Sequence, residues 1–150
     1  MTRESEKFPL DEAGRAAVLL EASQCTFIWS TREGWPVGAT MSYLWQHGRF
    51  WLISDPQQAR VTAVRRDPRV SLVISTGPRT LTAKGRCRLL EDAETRGWAY
   101  AAFAARQARL APDLIDAAAF EARIARLERA VLEVTPELWI TYDGTQASLA

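Results

Sequence analysis

The chain has 150 residues, of which 47% are hydrophobic and 25% charged, ordinary values for one globular domain with a core. Its formal net charge of +1 excludes a strong overall attraction to nucleic acid or acidic membranes. No segment approaches the roughly 18 consecutive apolar residues of a membrane span, and the N-terminus lacks the apolar stretch of a signal peptide. We therefore expect a cytoplasmic protein with no nucleic-acid or membrane partner.

The chain is predicted to begin with a helix and to continue as strands. Residues 10–22 combine helical spacing of apolar side chains with Asp11 as a plausible N-cap. Strand patterns then alternate with tight, glycine-containing turns, the strands lying at about 24–31, 36–45 and 50–54. Because tight turns join strands that pair side by side, these segments predict a three-stranded antiparallel meander.

A short helix is predicted next, at about 56–66. Asp55 suits its N-cap, Pro56 the first helical position, and Gln58 completes the spacing of a capping box. Arg60 would then lie one turn from the positive end of the helix dipole, where a cation costs about 0.3–1 kcal/mol unless an anion offsets it. A phosphate could supply that anion, but the Asp55 carboxylate would compete for the same N–H donors. For Arg60 alone, the pattern favours a solvated helix face.

The second half of the chain returns to strand patterns on either side of a helical region. Strands are predicted at 69–76 and 81–92, and a last strand at 130–144 is interrupted at Pro136. With the earlier segments this makes six strands, with three or four helices outside them. An antiparallel barrel with peripheral helices fits this order of elements.

The region between these strands is rich in alanine and arginine and has strong helix propensity from 99 to 130. We predict two helices, broken near Pro112 and with Asp113 as a cap. The whole chain is then one domain whose parts are an N-terminal helix at about 10–22, a barrel at about 24–91 and 131–142, and a helical insertion at about 93–129.

The strand at 36–45 has two unlike faces. One carries small residues, namely Gly38, Thr40 and Ser42, and the other carries Val37, Ala39, Met41, Tyr43 and Trp45. A strip of small side chains lets a planar ligand approach the backbone closely. Antiparallel sheets also commonly present such a face to water, and the pattern alone favours that second interpretation.

The strand at 81–92 carries positive charge on one face. By alternation Lys84, Arg86 and Arg88 point the same way. Three neighbouring cations repel one another unless anionic groups lie opposite. Glu121 and Glu128 of the helical region are candidate partners, and an anionic ligand is the alternative.

Side-chain catalysis and metal binding are not indicated. Cys25 and Cys87 lie in apolar segments without CxxC spacing and are expected to be buried, reduced thiols. His47, the only histidine, lies in a turn and is expected to be exposed. No catalytic residue and no metal ligand is therefore predicted. Any catalysis would depend on the chemistry of a bound cofactor.

The segments "GWPVGATMSYLWQHGRFWLIS", "RRDPRVSLVI" and "KGRCRLLED", in this order, resemble the pyridoxamine 5'-phosphate oxidase-like, flavin-binding split-barrel family. The resemblance runs from about residue 25 to 92, with a weaker echo at "AVLEVTPELWITYDG", and is closest to the branch that includes flavin- and deazaflavin-dependent reductases. It implies an antiparallel split β-barrel, mainly β with peripheral helices. It also implies a homodimer with cofactors in clefts between the subunits.

The resemblance also implies positions for a cofactor, FMN in the first instance. The ring would lie beside the second strand and the phosphate near the third strand and the helix after it. The residues so placed are Ala39, Thr40, Met41, Ser42, Ser54 and Arg60, with Lys84 on the long strand implied less directly.

The implied function is an FMN-binding oxidoreductase that transfers a hydride to or from a small organic substrate. A deazaflavin-dependent reductase is the alternative within the same family. A second alternative is a non-enzymatic split-barrel module that binds flavin or haem, or a member without any cofactor. Relatives usually have a Ser/Thr- and Gly-rich run where this chain has the shorter "SDPQQ". Asp55 and Pro56 in this segment favour the second alternative, because they remove flexibility and an N–H where phosphate contacts are expected.

Overall fold

The computed structural model describes residues 7–147. The strands are β1 (Gln24–Ser30), β2 (Pro36–Ser42), β3 (Leu44–Gln46), β4 (Arg49–Ser54), β5 (Arg69–Thr76), β6 (Arg79–Leu90) and β7 (Ala130–Asp143). The helices are α1 (Glu12–Glu21), α2 (Ala59–Arg66), α3 (Ala93–Leu110), α4 (Ala117–Arg126) and α5 (Gly144–Ala147). None of the helices in this range is long and apolar enough to cross a membrane.

Within residues 7–147, seven strands rather than six form one antiparallel sheet, in the order β2-β1-β5-β6-β7-β4-β3. β2 and β3 occupy opposite edges although only Tyr43 separates them in the chain, so the sheet has to curl back on itself. This curled sheet with helices outside is the antiparallel split barrel that the sequence predicts. The predicted three-stranded meander is wrong, because β2 pairs with β1 whereas β4 pairs with β3 and β7.

The error over the meander has its cause at Tyr43. The predicted alternation holds up to this residue, with Met41 and Tyr43 buried and Thr40 exposed. Leu44 is then buried as well, so the alternation breaks and one predicted strand becomes two. The Tyr43 hydroxyl donates a hydrogen bond to the Leu19 carbonyl at 2.7 Å, which ties the crossing point between the two sheet edges to α1.

β6 and β7 are the longest strands, and β6 pairs with β7 along its whole length. The predicted interruption at Pro136 is wrong, because β7 continues through the proline. The register shifts between Lys84 and Gly85, and the proline falls at this bulge. Gly85 allows the close approach: a Cβ there would lie 2.3 Å from the Thr135 carbonyl oxygen.

Two hydrophobic clusters organise the molecule. The barrel interior is filled by side chains without solvent exposure, among them Phe27, Phe50, Leu72 and Leu132. The second cluster attaches the helical insertion to the outside of β4 and β7, and contains Trp51, Val131, Tyr100, Phe103 and Ile124. Alternate residues of β4 and β7 thus serve the barrel core and the helix contact.

Two predicted helix starts are displaced. α2 begins at Ala59, and its N-cap is Gln58, which makes no side-chain cap hydrogen bond. Asp55, the predicted cap, does not cap this helix, because its carboxylate accepts from the Gln57 N–H at 2.9 Å. α4 is capped by Asp116, whose side chain accepts from the Ala119 N–H, and not by Asp113. Asp11 caps α1 as predicted, by accepting from the Gly14 N–H at 2.7 Å.

Candidate functional site

A cleft of about 390 Å³ opens between the barrel and the helical insertion. Its walls come from β2, from the end of β4 and the turn that follows, and from α2, α3 and α4. Five of the sequence-predicted site residues line it, namely Thr40, Met41, Ser42, Ser54 and Arg60. Residues from three separated segments of the sequence therefore meet in one place, because the barrel curls until β2 lies near β4.

The β2 wall offers backbone groups as well as side chains. β2 is an edge strand that pairs only with β1 in the described sheet. Alternate N–H and C=O groups along residues 40–42 therefore have no neighbouring strand to bond. Thr40 is exposed and Ser42 half-buried, whereas Met41 is buried in the barrel core. This wall can hydrogen-bond a flat, polar-edged ligand.

The opposite end of the cleft is built around Ser54 and Arg60. Ser54 is 4% exposed; its hydroxyl accepts from Arg60 Nη1 at 2.9 Å and donates to the Asp55 carbonyl at 3.2 Å. The Arg60 guanidinium also lies over the Trp29 ring, 5.7 Å from the centroid. Arg60 Nε is buried without a hydrogen-bond partner, which is uncommon because a buried donor left unpaired is costly. Among the residues that line the cleft, this guanidinium therefore retains an unused donor.

Arg129 is a cleft residue that the sequence analysis missed. Its Nη1 lies 2.8 Å from Asp55 Oδ2, and the Tyr100 hydroxyl donates a hydrogen bond to its backbone carbonyl. The signal was weak, because a lone arginine before the last strand has no motif around it. Phe103 and Phe120 were also missed; their rings stack at 6.2 Å and form part of the apolar wall.

The charge of the cleft is positive at this end. Arg60 and Arg129 contribute two cations, and Asp55 one carboxylate. The hydrogen bond from the Gln57 N–H, followed by contact with Arg129, lowers the pKa of Asp55 from its ordinary value. Asp55 is thus ionised at neutral pH and directed to Arg129 and Gln57, away from the first N–H groups of α2. The competition with a phosphate that the sequence predicts at the helix start is therefore reduced.

Ala39 and Lys84 do not line this cleft. Ala39 is a half-buried residue of β2 just beyond it. Lys84 is exposed and lines a separate hollow of about 490 Å³ between β1, β5 and β6. The structure thus separates Lys84 from the other residues that the resemblance placed around a cofactor.

The other two cations of the β6 face have acidic partners on the neighbouring strand. Arg86 Nε lies 2.7 Å from Glu137 Oε1, and Arg88 Nη2 lies 3.1 Å from Glu133 Oε1. Glu121 and Glu128 of the helical region, the partners predicted from the sequence, form no salt bridge with them. The cause is the pairing of β6 with β7, which places Glu133 and Glu137 beside the arginines.

Metal chemistry and thiol chemistry find no support in residues 7–147. No group of three or more His, Cys, Asp or Glu side chains in that range could hold a metal ion. Cys25 and Cys87 are free and buried as predicted, and burial raises the pKa of each thiol to about 12. His47 is exposed in its turn, also as predicted, with a backbone φ of 57°.

The sequence comparison extends over nearly the whole barrel and its insertion. Residues 12–143 match the family described as pyridoxamine 5'-phosphate oxidase. The chain belongs to this family. No curated protein matches the chain in sequence.

Solved structures that superpose on this chain support the same fold. A conserved hypothetical protein of Mycobacterium tuberculosis superposes with a TM-score of 0.83 at 18% identity, covering 99% of this chain and 94% of that one. An F420 reductase superposes with a TM-score of 0.63 at 16% identity, covering 82% of this chain and 93% of that one. An FAD-binding protein of Mesorhizobium loti superposes with a TM-score of 0.59 at 15% identity, covering 87% of this chain and 92% of that one. At these identities the likeness establishes the fold.

Proposed function

We propose that the chain is an oxidoreductase that binds FMN in the cleft lined by Thr40, Ser42, Ser54 and Arg60. The observation that carries the proposal is the meeting of an edge strand with unused backbone groups and a basic end whose Arg60 Nε is buried without a partner. Membership of the pyridoxamine 5'-phosphate oxidase family supports it. The two neighbours described as an F420 reductase and an FAD-binding protein support it as well.

The basic end of the cleft fits a phosphate group. Arg60 lines the cleft, and forked guanidinium groups bind phosphate oxygens in pairs. Ser54 holds Arg60 in place through the 2.9 Å bond and adds a hydroxyl. The N-cap of α2 has no side-chain hydrogen bond, so the first N–H groups of that helix can also face an anion.

The other end of the cleft fits a flat ring system. Backbone groups of residues 40–42 would bond the polar edge of the ring and fix its orientation. Phe103, Phe120 and Ile124 exclude water from the opposite side. A bound flavin supplies the capacity to accept and donate a hydride.

The protein itself brings little acid–base chemistry to the cleft. Asp55 is the one carboxylate among its lining residues in the described part of the chain. Its pKa is lowered, so it stays ionised near neutral pH and is a poor proton donor. The chain's role in this proposal is therefore to bind, orient and shield the cofactor and a small organic substrate.

The proposal is tested by titrating the purified protein with FMN and following flavin fluorescence. Arg60→Ala should weaken FMN binding about 10- to 100-fold, because hydrogen bonds to charged groups contribute about 1.5–3 kcal/mol. Arg65→Ala is the matched control: Arg65 lies on the same helix, is exposed, and pairs with Glu91 at 3.0 Å. Equal FMN affinity in the Arg60→Ala variant and the wild type would remove Arg60 from the site.

A deazaflavin is the second cofactor to titrate, because one structural neighbour is an F420 reductase. Saturable binding of the deazaflavin alone would assign the protein to deazaflavin chemistry in the same cleft. Binding of neither would favour a non-enzymatic split-barrel module. The observation in favour of that alternative is the 2.8 Å pair between Asp55 and Arg129, which occupies one cation of the basic end.

A further inference from the structure

A second and larger cleft, of about 560 Å³, lies between α1, β3 and α3. Its walls are mostly apolar and include Leu19, Leu20, Leu44 and Trp45. It shares no lining residue with the candidate flavin cleft, since the two clefts use different faces of α3. Two arginines, Arg106 and Arg109, interrupt its apolar lining, and of the two Arg106 is the buried one.

Arg106 is a buried arginine without an anionic partner. Its residue exposure is 6%, and within residues 7–147 it forms no salt bridge. Nη2 donates to the Ala22 carbonyl at 2.6 Å, at the end of α1, and the guanidinium lies 4.6 Å from the centroid of the Tyr43 ring. Nη1 is buried and has no hydrogen-bond partner.

The contacts of Arg106 compensate its charge only in part. A helix carbonyl end and an aromatic face carry partial negative charge, but removing a full cation from water normally requires a paired anion. Burial lowers the pKa of the Arg106 guanidinium, the direction expected for a cation without such an anion. Arg109, one turn further along α3, adds a second positive charge to the cleft.

We propose that this cleft binds a small monoanion with an apolar body, a carboxylate that carries a hydrocarbon chain. The carboxylate would pair with the Arg106 guanidinium, and the chain would lie against Leu19, Leu20, Leu44 and Trp45. The volume of about 560 Å³ is in the usual range for small-molecule sites, which are mostly apolar with a few polar groups that fix orientation. This site is independent of the flavin cleft.

The test uses decanoate as the probe and decanol as its uncharged match, each titrated calorimetrically into the purified 150-residue chain. We expect saturable binding of decanoate and at least tenfold weaker binding of decanol, because Arg106 recognises the carboxylate. Arg106→Gln should abolish the difference between the two probes. Equal affinities of the wild type for decanoate and decanol, or no binding at millimolar decanoate, would overturn the proposal.

Since Arg106 also supports α1, a second variant keeps the test independent of folding. Leu20 lies in the cleft wall and is 61% exposed, so Leu20→Glu should leave the fold intact, repel the anion and lower decanoate affinity at least tenfold. Leu114→Glu is the matched control, because Leu114 is 86% exposed and lies outside this cleft. Decanoate binding that is unchanged in Leu20→Glu would place the probe elsewhere and refute the site.

Discussion

Asp55 has a different role in the structure from the one that its position in the sequence predicts. In the sequence it is the natural cap of a helix and a competitor for phosphate. In the folded chain its carboxylate bonds to the Gln57 N–H and to Arg129, which leaves the helix start to Gln58. Asp55 still contributes a negative charge to a cleft that we propose holds an anion.

Replacing this carboxylate by its neutral isostere tests that electrostatic argument. Asp55→Asn retains an acceptor for the Gln57 N–H, removes one negative charge and frees Arg129. We expect FMN affinity to rise about fivefold, because a repulsion of ~1 kcal/mol is typical of unit charges a few ångströms apart in water. Flavin titration of the wild type and of Asp55→Asn measures this change in affinity. Weaker binding in the variant would mean that Asp55 is needed to position Arg129.

The pH dependence of stability gives this variant an internal control. The pKa of Asp55 is lowered in the folded chain, so the unfolded state binds the proton more readily than the folded state. The stabilisation from its hydrogen bond and ion pair is present above the unfolded pKa of about 3.9 and is lost as pH falls through the folded pKa. Urea unfolding should therefore distinguish the wild type from Asp55→Asn at neutral pH, and the difference should disappear in acid.

At the scale of elements, the bulge between β6 and β7 has a sharp requirement for glycine. A Cβ on Gly85 would meet the Thr135 carbonyl oxygen at 2.3 Å and the Pro136 Cα at 3.1 Å. Both are backbone atoms of a paired strand and cannot move aside as a flexible side chain can. The clash should therefore strain the strand pair that connects the two halves of the barrel.

We expect Gly85→Ala to reduce the free energy of unfolding by about 3 kcal/mol, the upper part of the usual range for overpacking. The matched control is Gly97→Ala in α3, where a Cβ would meet nothing within 4 Å. That substitution should stabilise the protein by about 0.5–1 kcal/mol, because alanine has the higher helix propensity. Chemical unfolding of the two variants separates the effects, and equal stability of Gly85→Ala and the wild type would contradict the steric argument.

The elements also show what the sequence could and could not predict. Strand and helix types follow from local periodicity, so the barrel segments and the cap at Asp11 were predictable. The split at Tyr43, the bulge at Pro136 and the acidic partners on β7 depend on which strands pair across long sequence distances. Local patterns do not contain this pairing information, which explains why Arg129 was missed. Ser54 and Arg60 were assigned to one site through the family resemblance, because the local pattern alone favoured a solvated helix face for Arg60.

At the scale of the whole molecule, one outer face of the barrel carries exposed apolar side chains. Strand register aligns Val73 of β5 with Ile140 of β7 through Thr82, and Ile28 of β1 with Leu138 through Ser71 and Lys84. Leu138 and Ile140 are 51% and 46% exposed. A face that exposes large apolar side chains can mark a protein interface. We propose that it pairs with the same face of a second copy, as the family resemblance implies.

Sedimentation of the purified protein tests this pairing. We expect a species of about twice the 16.8 kDa chain mass, because a self-complementary face closes into a two-fold dimer. Ile140→Arg should yield monomers, since it places a charge at the centre of an apolar contact. Leu114→Arg, at an 86% exposed leucine away from the sheet face, should remain dimeric.

The same two variants connect the assembly to the cofactor. If the flavin lies between subunits, as the sequence resemblance implies, each cleft is complete only in the dimer. Ile140→Arg should then lose FMN affinity together with the dimer, although residue 140 does not line the cleft, while Leu114→Arg should keep both. A monomeric Ile140→Arg protein with unchanged FMN affinity would show that one chain suffices to hold the cofactor, and would separate the binding function from the assembly.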